Sequence, residues 1–207
     1  MQPPLLVIVC GPNGVGKSSF VDAYVDHAVV RVVNPDVIAI TGAGSIRAIA
    51  AGREAVERMD TLLDGRESFA VETTLAGLRH ERRLLAARER GFRIELFYLG
   101  VADVETCLAR IARRVRAGGH DVPEADVRRR FPRSMAHLSR AAAVADYTTV
   151  FDSGGHGDPA RILELAGARL AWAAPMVPTW ARRAMHDLLP PNLRIQAPRQ
   201  ELRSFGL

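Results

Sequence analysis

Eight residues near the start of the chain have the types and spacing to hold a triphosphate: Gly11-Pro12-Asn13-Gly14-Val15-Gly16-Lys17-Ser18. Gly11, Gly14 and Gly16 let backbone N–H groups converge on phosphate oxygens where a Cβ would intrude. A helix that starts just after them adds its positive end. In such a loop Lys17 bridges the β- and γ-phosphates and Ser18 ligates Mg²⁺, while Asn13, Val15 and Ser19 complete an ATP cradle. A glycine turn without function is the competing reading. The apolar run Leu5–Cys10 before the loop and Phe20, Val21 and Tyr24 after it supply the strand and helix that the motif requires, which favours the phosphate reading.

Two carboxylates follow at places where strands should end. Asp36 closes the β-rich run Val29–Val33 within Asn34-Pro35-Asp36. It reads equally well as a turn or N-cap residue and as a base that takes a proton from a substrate hydroxyl. Glu72 ends the run Ser68–Val71. It could orient Mg²⁺ through water, hold a substrate hydroxyl, or cap the next helix. Thr73 and Thr74 extend the same edge with hydroxyl groups.

Arginines form the third group. Val104, Cys107, Leu108, Ile111 and Val115 recur at helical spacing, and Arg110, Arg113 and Arg114 fall on the other face. Gly118-Gly119-His120 breaks that helix, and Arg128-Arg129-Arg130 follows. A solvated helix face is the ordinary role of such arginines. Their place around a Gly-Gly break also suits a lid whose cations, Arg110 and Arg114 among them, close over a triphosphate, with His120 contacting phosphate or substrate.

The elements needed to position these groups alternate along the chain. Strands are expected at Leu5–Cys10, Val29–Val33, Ser68–Thr74, Arg93–Leu99 and Thr148–Phe151. Helices are expected after the glycine loop, over Ser45–Leu63 with Ser45 as N-cap, through Leu78–Leu85 to a stop at Gly91, over the Val104–Val115 stripe, from Pro123 to Ala145 with an interruption at Pro132, and over Pro159–Ala173. This is the pattern of an α/β protein with a parallel sheet covered on both faces. Its ligands sit at the carboxyl ends of the strands, where the glycine loop, Asp36, Glu72 and Asp152 all fall. Residues 1–174 form the domain. A proline-punctuated segment, 175–207, with one short helix near Thr179–Leu189, is read as an appendage that packs on the domain or reaches a partner.

Of the 207 residues, 48% are hydrophobic and 25% charged, as in ordinary globular proteins. No apolar run is long enough to span a bilayer, and Leu5–Cys10 reads as a buried strand, not a signal peptide. Cys10 and Cys107 read as buried free thiols in a reducing cytoplasm. The formal charge of +5 favours an anionic substrate.

With these pieces in place, residues 4–155 resemble the zeta-toxin family of P-loop kinases. The likeness is carried by the glycine loop, Asn34-Pro35-Asp36, Val71-Glu72-Thr73-Thr74-Leu75-Ala76-Gly77 and Arg114-Val115-Arg116-Ala117-Gly118-Gly119-His120-Asp121-Val122-Pro123. The resemblance implies a three-layer P-loop fold with five parallel strands in the order 2-3-1-4-5. It also implies ATP- and Mg²⁺-dependent phosphorylation of a sugar hydroxyl, in the best-known members that of UDP-N-acetylglucosamine. Lys17 corresponds to the P-loop lysine, Asp36 to the catalytic base, and Glu72 and Thr74 to substrate-binding residues. A separately encoded antitoxin is the implied protein partner. The chain departs from the family at Ala76, where well-studied members carry an arginine, and in its arginine lid, which aligns loosely.

The function expected is therefore a small-molecule kinase. One rival is a kinase of the same architecture acting on a nucleoside, an antibiotic or an RNA end. The other is a nucleotide-dependent regulatory or nucleic-acid-binding module, which carboxylates at the strand ends would disfavour by repelling a polyanion.

Overall fold

A computed structural model describes residues 2–25, 31–34, 45–77, 79–155, 157–193 and 195–196. Its centre is a sheet in the order β2-β3-β1-β4-β5-β6-β7. The strands are β1 (Leu5–Cys10), β2 (Arg31–Val33), β3 (Phe69–Thr73), β4 (Arg93–Gly100), β5 (Tyr147–Asp152), β6 (Ala160–Ala166) and β7 (Arg169–Ala173). The first five run parallel in the expected order. Strand β1 lies centrally, with Val7 opposite both Ala70 and Glu95, so its apolar side chains are buried on both faces.

Period-2 alternation divides those side chains between two cores. Leu6, Ile8 and Cys10 point to one face, covered by α2 (Ser45–Asp64), α3 (Arg79–Glu89) and the later part of α5 (Glu124–Val144). Val7 and Val9 point to the other, covered by α1 (Lys17–Tyr24) and α4 (Val104–Arg116). Helix α1 is fixed there by Phe20, whose ring lies 5.8 Å from that of Phe97 and 5.1 Å from that of Phe151. Asp103 caps α4, its carboxylate accepting from the Thr106 N–H at 2.7 Å. Helix α3 ends in paired bonds from Gly91 N to Arg88 O and from Phe92 N to Ala87 O, the Schellman arrangement expected of a stop at Gly91.

The segment read as a helix, Pro159–Ala173, is instead the β6–β7 hairpin. Strand β6 adds antiparallel to β5 and makes the sheet seven-stranded. Arg, Leu, Glu and Ala in this stretch are good helix formers, but the unpaired side of β5 offers a full ladder and a core for Ile162, Leu163 and Leu165. Gly167, at φ +56°, takes the first central position of the two-residue turn, where a side chain would be strained.

The interruption expected at Pro132 is absent, since α5 runs through it for 21 residues. The missing N–H and ring clash, costing about 3 kcal/mol, are offset by a buried stripe that includes Val127, Leu138, Ala141 and Ala142. Helix α6 (Thr179–Ala184) is shorter than expected, and it follows a short strand, β8 (Val177–Pro178), that pairs with β9 (Ile195–Gln196). Val177, Trp180, Ala181 and Met185 are buried in the same core as Leu6 and Ile8. No helix among the described residues is long and apolar enough to cross a membrane.

Candidate active site

The glycine loop emerges from β1 at the centre of the carboxyl edge. Gly11, Gly14 and Gly16 all have positive φ, and Gly16 immediately precedes α1. Two of them are enforced by packing as well. A Cβ on Gly11 would lie 2.0 Å from the Leu99 carbonyl oxygen, and one on Gly14 would lie 2.6 Å from that of Cys107. Lys17 is 5% exposed, and its Nζ donates to the Pro12 carbonyl at 3.1 Å, which keeps the ammonium folded over the loop. Val15 turns its side chain into the core, so only its backbone faces the cradle. Asn13 is buried, and its Oδ1 finds no hydrogen-bond partner among the described residues.

Glu72 connects this loop to the neighbouring strands. It is 5% exposed at the end of β3, where one carboxylate oxygen accepts from Ser18 Oγ at 3.1 Å and the other from Asn34 Nδ2 at 2.6 Å. The Ser18 proton is thereby committed to Glu72, leaving the hydroxyl lone pairs for a cation. A hydroxyl oxygen backed by a buried carboxylate is a hard-oxygen set that suits Mg²⁺. Asn34 directly follows β2, two residues before Asp36 in the sequence. Asp36 itself lies outside the described residues.

Above the loop is a cavity of about 420 Å³. Lys17, Ser18, Ser19, Asn34 and Glu72 line one side, and Arg110, Arg114, His120, Asp121, Asp126 and Arg130 the other. The arginines differ in how they are held. Arg110 donates to the carbonyls of Ser153 and Gly155, fastening α4 to the loop after β5. Arg114 donates to the His120 carbonyl at 2.9 Å, and its own carbonyl accepts from Gly119 N, so it braces the Schellman turn in which the Gly-Gly pair ends α4. Arg130 pairs with Asp126 at 3.4 Å on the cavity wall. Arg128 is bound by Glu105 and Glu124 and does not line the cavity; nor do Arg113 and Arg129.

Thr74 follows β3 and is half-buried, but it does not line that cavity. The corner it occupies is held from behind by two histidines that the sequence reading passed over. Leu75, 1% exposed, has φ +57°, a strained value for leucine. Its N–H donates to Thr73 Oγ1 at 3.2 Å, and that hydroxyl shares a 3.0 Å bond with His80 Nε2. The Leu75 carbonyl accepts from His137 Nδ1 at 2.8 Å, which fixes the tautomer of that ring. Burial, then Arg83 and His137, push His80 down to about 4, so it is neutral at neutral pH. Nothing in the spacing of His80 or His137 marks them; only their helices place them behind one corner. The contact of Asn34 with Glu72 was equally hidden, because it joins residues 38 apart.

Cys10 and Cys107 are free and buried, as expected. Burial pushes the Cys107 thiol up to about 12 despite Lys17 nearby, and Cys10 still higher, so neither is a nucleophile at neutral pH. Asp152, at the end of β5, accepts from Trp180 Nε1 at 3.1 Å and faces the C-terminal helix.

Comparison with known proteins places this architecture. An uncharacterised protein of Haemophilus influenzae is 35% identical over 128 residues, covering 60% of this chain and 91% of that one. Among solved structures, AvrRxo1-ORF1:-ORF2 with ATP superposes with a TM-score of 0.66 at 17% identity, over 94% of this chain and 66% of that one. The chain thus spans slightly less than two thirds of its matched AvrRxo1 counterpart. The PezAT chromosomal toxin–antitoxin system of Streptococcus pneumoniae superposes with a TM-score of 0.56 at 12% identity, over 79% and 72% of the two chains. At these identities the structural likeness establishes the fold, a P-loop α/β sandwich. Residues 6–134, more than half of the chain, match the AAA_33 family model, described as an AAA domain, and the chain belongs to that family.

Proposed function

We propose that this chain is an ATP-dependent kinase that transfers the γ-phosphate to a hydroxyl of a small molecule. The observation that carries the reading is the Ser18–Glu72–Asn34 linkage, a buried carboxylate joining the P-loop hydroxyl to the strand end that leads to Asp36. In this reading the P-loop amides and Lys17 hold the triphosphate, and Ser18, backed by Glu72, would hold Mg²⁺, which would supply positive charge to the phosphates. Asp36 takes the acceptor proton while the acceptor oxygen bonds to the γ-phosphorus and the bond to the β–γ bridging oxygen breaks, releasing ADP. Glu72 and Thr74 orient the acceptor. Arg114 and Arg130 face the transferring group across the cavity, Arg110 fixes α4, the helix of Arg114, to the β5 loop, and His120 lines the cavity beside them.

The zeta-toxin-like motifs nominate a UDP-N-acetyl sugar as acceptor. The toxin–antitoxin system among the structural neighbours supports a separately encoded antitoxin as partner. A cytoplasmic location fits the free thiols. The reading is tested by incubating the full chain with Mg-ATP and a panel of hydroxyl acceptors that includes UDP-N-acetylglucosamine, and following mass gain by one phosphate. Release of ADP without any phosphorylated acceptor would count for hydrolysis and against a kinase.

A further inference from the structure

The C-terminal helix α6 meets the carboxyl edge of the sheet through Trp180. That residue is buried, and its ring lies so close to the last residue of β4 that a Cβ on Gly100 would stand 2.3 Å from the indole carbon Cη2. Position 100 is glycine to admit the ring. Tyr98 packs on the same indole, with 6.2 Å between ring centroids, and Val177, Ala181 and Met185 anchor α6 in the core. Packing therefore fixes the direction of the one polar atom that Trp180 carries. Its Nε1 donates to Asp152 Oδ1 at 3.1 Å.

Asp152 opens the loop that follows β5, and its side chain shapes that loop. The same Oδ1 accepts from Gly154 N at 3.2 Å, while Ser153 N donates to the Gly100 carbonyl at 2.8 Å. Arg110 Nη2 then donates to the carbonyls of Ser153 and Gly155. Both hydrogens of Nη2 are spent on these bonds, so the place of the guanidinium follows the place of the two carbonyls. Arg110 lines the main cavity, whereas neither Trp180 nor Asp152 does. A buried indole N–H needs one acceptor. Here that acceptor is the side chain that shapes the loop holding a cavity cation, so satisfying the core and placing Arg110 become one requirement.

From this path we infer that Trp180 and Asp152 are positioning residues for the nucleotide site. Helix α6 sets the Ser153–Gly155 loop through Asp152, and the loop sets Arg110 against the nucleotide. The inference rests on the nucleotide-binding half of the reading above and on no choice of acceptor. It gives the C-terminal segment a part in ligand binding although that segment stands outside the cavity. Because the path is continuous, a nucleotide that engages Arg110 should also be felt at the Trp180 ring.

The test uses the ring as its own reporter. The chain has two tryptophans, so Trp172→Phe, on β7 and away from the cavity, leaves Trp180 as the only one. In that full-length protein Mg-ATP binding is measured by calorimetry, and Trp180 emission is followed through the same titration. Emission should change saturably with the calorimetric Kd. Asp152→Ala should raise that Kd by about fivefold and abolish the emission response. Asp152→Asn, which keeps an oxygen for the indole and for Gly154, should restore both. Trp180→Phe, which keeps a ring against Gly100 and removes the N–H, should raise the Kd alike and serves where Asp152→Ala does not fold. Calorimetric binding with silent Trp180 emission overturns the inference and leaves nucleotide binding standing. So does a wild-type Kd in Trp180→Phe, even with stability lost in denaturant titrations, since the indole then only packs. Absence of Mg-ATP binding to the wild-type chain removes the nucleotide reading and the inference with it.

Discussion

The Ser18 hydroxyl and the Glu72 carboxylate, 54 residues apart in the chain, meet at 3.1 Å beneath the cavity, so the end of β3 and the start of α1 act as one unit. Glu72→Gln keeps the volume but removes the charge and places an amide N–H₂ against one of the two donors, Ser18 or Asn34. Turnover of Mg-ATP should fall by about 10²-fold, with a higher Mg²⁺ concentration needed for half-maximal activity. An unchanged Mg²⁺ requirement would show that Glu72 acts on the acceptor alone.

Lys17 and Asp36 should fail in different ways. Lys17→Ala removes the charge that the P-loop holds over the phosphates, so it should weaken nucleotide binding, read by calorimetry with Mg-ATP, as well as turnover. Asp36→Asn should leave nucleotide binding intact and lower kcat by about 10²-fold or more. Near-normal turnover by Asp36→Asn would sink its assignment as base.

The arginines, indistinguishable in the sequence, divide by their partners. Arg130 lines the cavity with Asp126, whereas Arg128 is spent on Glu105 and Glu124 outside it. Arg130→Ala should cost about 10²-fold or more in kcat, in line with loss of a charge that stabilises the transferring phosphate. Arg128→Ala breaks only exposed ion pairs, which water screens, and should change kcat by less than about twofold. Equal losses in the two variants would mean that the cavity wall rearranges around the substrate.

What could be read in advance follows the range of the physical signal. The P-loop is a local device in which glycine spacing, preceding strand and following helix lie within about twenty residues, and its strand, positive-φ glycines and helix stand where the sequence puts them. The five parallel strands were legible because each is a short apolar run between turn residues. The β6–β7 hairpin was not: its helix-forming composition is overridden by a ladder on β5 that no local window contains. Pro132 misled in the same way, because the buried stripe that carries α5 through it packs on distant strands. The strained Leu75 corner was hidden more deeply, since leucine gives no sign of a positive φ and its two histidines come from separate helices.

That corner yields the last prediction, on pH. His80 is pushed down to about 4 in the folded chain, mainly by burial and then by Arg83 and His137, against an unfolded value of 6.5. Above 6.5 the ring is neutral in both states and exerts no pull. As pH falls from 6.5 toward 4, the unfolded chain binds a proton that the folded chain refuses, so stability is lost across that window, by up to about 3 kcal/mol. His80→Gln can keep the bond to Thr73 but cannot titrate. The wild-type chain should therefore lose more stability than His80→Gln between pH 6.5 and 4 in denaturant titrations, with the difference levelling off above 6.5. Carboxylates that titrate near 4 cancel in this comparison because both proteins carry them. A difference that stays constant across the window would show that the His80 ring is protonated in place, and that the Thr73–Leu75 corner tolerates a charge behind it.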